Sequence, residues 1–136
     1  MTRTGDFLLV SNNPLVREVL GVQQGLALDF RECSLHEILT VVRDYVHTGH
    51  LLYTHPLSGS VKPNETPYKT IVVSQKVPGM EFDHAQMMSD AIVRANSFPP
   101  LKRRYGEEVL RDFQLIDYCL VCGALDIDPQ QGLASR

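Results

Sequence analysis

The stretch "LLYTHPLSGSVKPNETPYKTIVVS", Leu51 to Ser74, decides how the chain is folded. One apolar run opens it and a second closes it. Between them stand three prolines, one glycine, two lysines, a glutamate, an asparagine and a histidine. Read as strand, polar connection and strand, it sends Leu51-Leu52-Tyr53 and Thr70-Ile71-Val72-Val73 into a sheet. A connection of about a dozen residues marks a functional or a disordered segment in a compact domain. Its prolines restrict the unfolded chain and weigh against disorder.

Working outward, Phe7-Leu8-Leu9-Val10 is a continuous apolar run, the pattern of a strand covered on both faces. Ser11-Asn12-Asn13-Pro14 follows, with Asn13 as a helix cap and Pro14 suited to the first helical position. Leu15, Val16, Val19 and Leu20 form the helical stripe. Leu26, Leu28 and Phe30 alternate with wetter residues, as in an edge strand. Ser34-Leu35-His36-Glu37 is a capping box, opening a helix with the stripe Leu35, Ile38, Leu39, Val42 and Val46 that Gly49 closes. Asp83-His84-Ala85-Gln86 opens another helix, carrying Met87, Ala91, Ile92 and Ala95 and stopped by Pro99 and Pro100. A last helix spans roughly 103–125.

The order is β-α-β-α-β-loop-β-α-α. It predicts a single α/β domain over 1–136, a layered α-β-α sandwich on a mostly parallel four-stranded sheet. The expected strand order is 2-1-3-4, with two C-terminal helices and the direction of strand 4 open. Such sheets bind ligands at the carboxyl ends of the strands where the winding reverses, here between strands 1 and 3.

The chain has 136 residues, 43% apolar and 21% charged, with net charge −3, the balance of a globular protein with its own core. Nucleic acid is not an expected partner, because the one basic cluster is Lys102-Arg103-Arg104. Neither an apolar run of about 18 residues nor a separate signal core occurs, so the expectation is a cytoplasmic protein that does not cross a membrane. Its three cysteines are then expected to stay reduced, and Asn64-Glu65-Thr66 matches a glycosylation acceptor, a pattern that means little inside a cell.

The expected crevice joins Asn12 and Asn13 to the segment after strand 3. Ser58-Gly59-Ser60 can aim backbone N–H groups at an anion, and Lys62 and Lys69 supply positive charge. A Pro-braced surface loop whose serines satisfy their own backbone fits the same residues. No nucleotide-binding glycine motif occurs and no cofactor is expected. His55 is the acid–base candidate, with Ser58 or Ser60 as nucleophile and Glu65 as orienter; a histidine bonding its own loop is the alternative. His47, His50 and His55 do not make a metal site, because a five-residue strand separates the last two by roughly 16 Å.

Cys119-Leu120-Val121-Cys122 falls near the end of a helix, where the dipole disfavours a thiolate, and reads as small core residues. Val109, Phe113, Ile116, Leu120 and Ala124 share one helix face. Leu115, Cys119 and Cys122 form a second strip that needs a cover, either the preceding helix or a second copy in a homodimer.

"SNNPLV" (Ser11–Val16) and "THPLSGSVKPNETPYKTI" (Thr54–Ile71) resemble the GrdX family, small proteins of unknown activity encoded with glycine, sarcosine or betaine reductase genes. The resemblance implies an accessory to anaerobic amino-acid reduction. It implies a site among Asn12, Asn13, His55, Ser58, Gly59, Ser60, Lys62, Asn64, Glu65, Tyr68 and Lys69. Three functions stay open: an accessory binding a small anion, an enzyme with His55 as general base on a phosphorylated or acyl substrate, and a module docking on a reductase component.

Overall fold

A computed structural model describes residues 7–22, 26–57, 62–75, 81–99, 101 and 104–134. Its elements are β1 (Phe7–Ser11), α1 (Pro14–Val19), β2 (Ala27–Phe30), α2 (Leu35–His47), β3 (Thr70–Ser74), α3 (Phe82–Asn96), α4 (Glu107–Leu125) and α5 (Pro129–Ala134). Ser58, Gly59 and Ser60 lie outside the described residues, as do Lys102 and Arg103.

The sheet has three strands in the order β2-β1-β3, not four in the order 2-1-3-4. β1 pairs with β2 in parallel, Leu9 opposite Leu28, and with β3 antiparallel, Leu9 opposite Val72 and Ser11 opposite Thr70. The expected third strand reduces to one bridge, Leu52 to Val73, on the outer edge of β3. That segment runs parallel to β1, as expected, but β3 lies between them. Burial explains the exchange. Ile71, Val72 and Val73 are fully buried, whereas Tyr53 is exposed and suits a rim. The Leu52 ladder also has no room to extend. Tyr53 and Thr54 both donate N–H to the Val72 carbonyl (2.9 and 3.3 Å), the Thr54 hydroxyl accepts the Val72 N–H (3.0 Å), and Pro56 has no N–H to offer. The segment still covers the β3 edge, which would otherwise be open to another chain.

Strand alternation divides the core. Leu8, Val10, Ile71 and Val73 face α2 and α3, packing on Ile38, Val42 and Met88. Phe7, Leu9 and Val72 face the other way, packing on Val16, Leu20, Tyr118 and Val121 of the α1 and α4 side. Each fully buried aliphatic side chain contributes about 1.5–3 kcal/mol. Helices therefore cover both faces.

The early helices follow their local signals. Asn13 caps α1 by accepting the Leu15 N–H, with Pro14 in the first turn. Ser34 and Glu37 form the reciprocal capping box of α2, and its five expected stripe residues are all buried. Gly49, at φ 114°, takes the left-handed turn after α2 that a side chain would strain. α3 begins one residue before Asp83, capped by Glu81 without a side-chain bond, and buries Met88 rather than Met87. α4 starts at Glu107 and ends at Leu125, capped by Asp126 in the left-handed conformation.

α4 differs most from expectation. Its sheet-facing residues are Asp117, Tyr118, Val121, Cys122 and Leu125. The stripe read as its main apolar face stands partly in solvent, with Ile116 42% and Leu120 48% exposed. The second strip divides: Cys122 is buried in the core, while Leu115 and Cys119 are exposed.

Candidate functional site: a polar knot and a hollow at the end of β1

Because β3 runs antiparallel to β1, its start meets the carboxyl end of β1. The residues beside Asn12 and Asn13 are therefore the last of the long connection, Thr66 to Lys69, and not its first. Opposed pairs in an antiparallel ladder share a face. Ser11 and Thr70 thus both face α4, where Asp117 lies.

Their hydroxyls form a directed chain. The Asn13 backbone N–H donates to Ser11 Oγ at 2.9 Å, and Ser11 Oγ lies 2.7 Å from Thr70 Oγ1. Thr70 Oγ1 donates to Asp117 Oδ2 at 2.6 Å, so the Ser11 hydroxyl is the donor to Thr70. Asp117 Oδ1 accepts the Thr70 N–H at 3.0 Å, and Oδ2 also accepts from Asn13 Nδ2 at 3.0 Å. Three donors on one carboxyl suit its ionised form, which only accepts. Burial pushes the Asp117 carboxyl above its ordinary range, against the opposing pull of Thr70, Asn13 and the Lys69 charge.

Asn12 is a clasp. Its Nδ2 donates to the Cys33 carbonyl at 2.9 Å and the Pro67 carbonyl at 2.8 Å, and its Oδ1 accepts the Lys69 N–H at 2.8 Å. One side chain thereby joins the ends of β1 and β2 to the approach of β3. Asn13 Nδ2 also donates to the Gln114 carbonyl at 2.9 Å. Both amide hydrogens of each asparagine are engaged within the protein. Their geometry positions neighbouring groups rather than offering donors to a ligand.

Beside this knot lies a cavity of about 30 Å³, roughly twice what one water needs. Leu35, Leu57, Pro63, Phe113 and Ile116 give it apolar walls. Thr66, Tyr68, Lys69 and Asp117 are its polar lining. Burial pushes the Lys69 amine below its ordinary value, and the Asp117 charge pulls it back up. Tyr68 is held by Gln114 Nε2, which donates to its hydroxyl at 2.9 Å.

The expected site residues divide. Asn12, Asn13, Tyr68 and Lys69 converge at the knot and hollow. Lys62, Asn64 and Glu65 occupy the turn before it; Lys62 and Glu65 are exposed, and the Glu65 carbonyl accepts the Tyr105 hydroxyl at 2.8 Å. Asn64 Oδ1 is buried with no hydrogen-bond partner among the described residues. His55 is exposed, and its Nδ1 accepts the Leu57 N–H at 3.0 Å, the loop-bracing contact weighed against catalysis. Ser58, Gly59 and Ser60 fall outside the described residues.

Thr66, Thr70, Gln114 and Asp117 are not among the residues that the sequence marks. Asp117 shares the four-residue spacing of Val121 and Leu125 on the buried face of α4, the one sequence signal that points to it. Cys119 is exposed and Cys122 buried, and burial pushes the Cys122 thiol up, the reverse of a reactive thiol. His50 Nδ1 lies 2.8 Å from the Ser74 carbonyl, and His84 Nδ1 accepts the Leu52 N–H at 2.9 Å. Among the described residues no group of three or more His, Cys, Asp or Glu side chains could hold a metal ion, and no helix is long and apolar enough to cross a membrane.

These features define a small α/β protein with a three-stranded sheet, helices on both faces, and a polar hollow at the carboxyl end of its central strand. The chain belongs to the GrdX-like family: the model of the GrdX-like protein matches residues 8–126. The match runs from β1 to the left-handed cap of α4, taking in the hollow and the Cys-x-x-Cys. No curated protein and no solved structure matches the chain.

Proposed function

We propose that this protein is a cytoplasmic accessory of glycine, sarcosine or betaine reductase systems that binds a small anionic ligand at the hollow beside Lys69. The observation that carries this reading is the placing of a half-buried lysine and a buried aspartate in one small cavity with apolar walls. A cavity of about 30 Å³ is the size of a carboxylate head rather than of a whole cofactor. Lys69 balances the ligand charge, and a short apolar body rests on Phe113 and Ile116. Asn12 and Asn13 act by holding Lys69 and Asp117 in place. Asp117 repels the anion while ionised, so binding tightens as the pH falls and Asp117 takes up a proton.

The test is thermal melting with short-chain carboxylates, phosphate and sulfate. A ligand at about 100 times its dissociation constant adds roughly 2.7 kcal/mol of stability. Carboxylates are expected to raise the melting temperature of the native protein and not of Lys69→Met. A rise that survives Lys69→Met places the anion elsewhere.

A homodimer through α4 stays part of the proposal. Leu115, Ile116 and Leu120 are each more than two-fifths exposed, leaving apolar surface on one helix. Sedimentation showing only monomer at tens of micromolar removes the dimer without touching the ligand site.

A further inference from the structure

Among the described residues Lys69 is the lysine that lines the hollow, half-buried beside Asp117. We propose that Lys69 is a nucleophile that condenses reversibly with the carbonyl carbon of a small 2-oxo acid or aldehyde held in the hollow. This rests on the reading of that cavity as a ligand site and names the reactive class that it takes.

Three features support it. Lys69 and Asp117 line the same cavity, and Phe113 and Ile116 keep its wall apolar. An amine kept from water gives up its proton more readily, which is how buried lysines become Schiff-base residues. Burial acts on Lys69 in this direction. Asn12 also fixes the Lys69 backbone N–H at 2.8 Å, so the side chain starts from a constrained point.

The step balances. The Lys69 ammonium that holds the anion first releases a proton to solvent; the lone pair of the resulting neutral amine forms a C–N bond to the carbonyl carbon, and the carbonyl π pair moves to oxygen. The nitrogen loses a proton, the oxygen gains one, and the carbinolamine forms. It then leaves water and an imine, with no oxidant or reductant consumed. Protonation of the imine restores a cation beside Asp117, which the carboxylate stabilises as it does the ammonium. Hydrolysis reverses the sequence and returns Lys69 unchanged.

The experiment traps the imine. The full-length protein is incubated with pyruvate or glyoxylate and cyanoborohydride, and the adduct is located by peptide mass spectrometry. Labelling at Lys69 is expected to outrun labelling at exposed Lys62, because the half-buried amine gives up its proton more readily. Lys69→Arg keeps the charge and should lose the adduct while melting as a folded protein. Equal labelling of Lys62 and Lys69 overturns the inference. Propionate, which has no reactive carbonyl, separates the two readings. Propionate binding without trapping sinks the imine and leaves the anion site standing. Trapping without propionate binding supports the imine and removes the anion site. Failure of both ends both.

Discussion

Thr70 gives both of its donors to Asp117: its N–H reaches Oδ1 at 3.0 Å and its hydroxyl reaches Oδ2 at 2.6 Å. This pair welds the first residue of β3 to the middle of α4, and it stands beside Lys69. Replacing Asp117 by Asn leaves one acceptor oxygen where two served, and turns a donor toward Asn13 and Thr70. A buried donor left without a partner costs about 1–3 kcal/mol. Urea denaturation of Asp117→Asn should show a lower midpoint with an unchanged slope. An unchanged midpoint would mean that the knot is not holding the fold.

The pH dependence has a defined sign. Burial raises the Asp117 carboxyl above 3.8 in the folded state. The folded protein therefore binds more protons than the unfolded one just above that value, and stability from this group falls as the pH rises. Lys69 acts oppositely: burial lowers its amine below 10.5, so its contribution is present above 10.5 and is lost as the pH falls through the folded value. Stability of Asp117→Asn followed from pH 4 upward should lack the falling component seen in the native protein. Parallel profiles would contradict the assignment.

Asn12→Ala removes three side-chain hydrogen bonds that join β1, the end of β2 and the approach to β3. The loss should be on the order of 2 kcal/mol, since such bonds contribute about 0.5–1.5 kcal/mol each and do not simply add. Hydrogen exchange gives a local readout. The Lys69 amide, an Asn12 partner, should lose protection more than amides at the centre of α2. Uniform loss across the molecule would make Asn12 a general stability residue rather than a clasp for Lys69.

The cysteines should react unequally. Cys119 is exposed, whereas Cys122 is fully buried with its thiol pushed up by burial. An aromatic disulfide reagent should label Cys119 in the native protein and reach Cys122 only on unfolding. Rapid labelling of both, or formation of a Cys119–Cys122 disulfide without unfolding, would reopen a redox role for the pair.

The parts legible in the sequence were those set by near neighbours. The Asn13-Pro14 start of α1 and the Ser34–Glu37 box of α2 are complete within a few residues, and both appear as read. The strand order was not legible, because both Leu51–Tyr53 and Thr70–Val73 fit a strand and the choice rests on contacts with distant β1. The outer face of α4 was misread for a related reason. Its buried face carries Asp117 and the hydroxyl-bearing Tyr118, whose polarity masks the stripe, while Ile116 is apolar yet lines the hollow. Asn12 and Asn13 were marked as site residues from their place after β1, and their bonds give them a holding role. Asp117 lies 104 residues from Asn13 in the chain, so no local pattern could pair them.

Amide NMR during a propionate titration reads the anion site beside Lys69 residue by residue. Saturable shifts are expected at Tyr68, Lys69, Phe113 and Asp117, deepening as the pH is lowered and absent in Lys69→Met. Shifts confined to other surfaces, or equal in the native protein and Lys69→Met, would contradict that site.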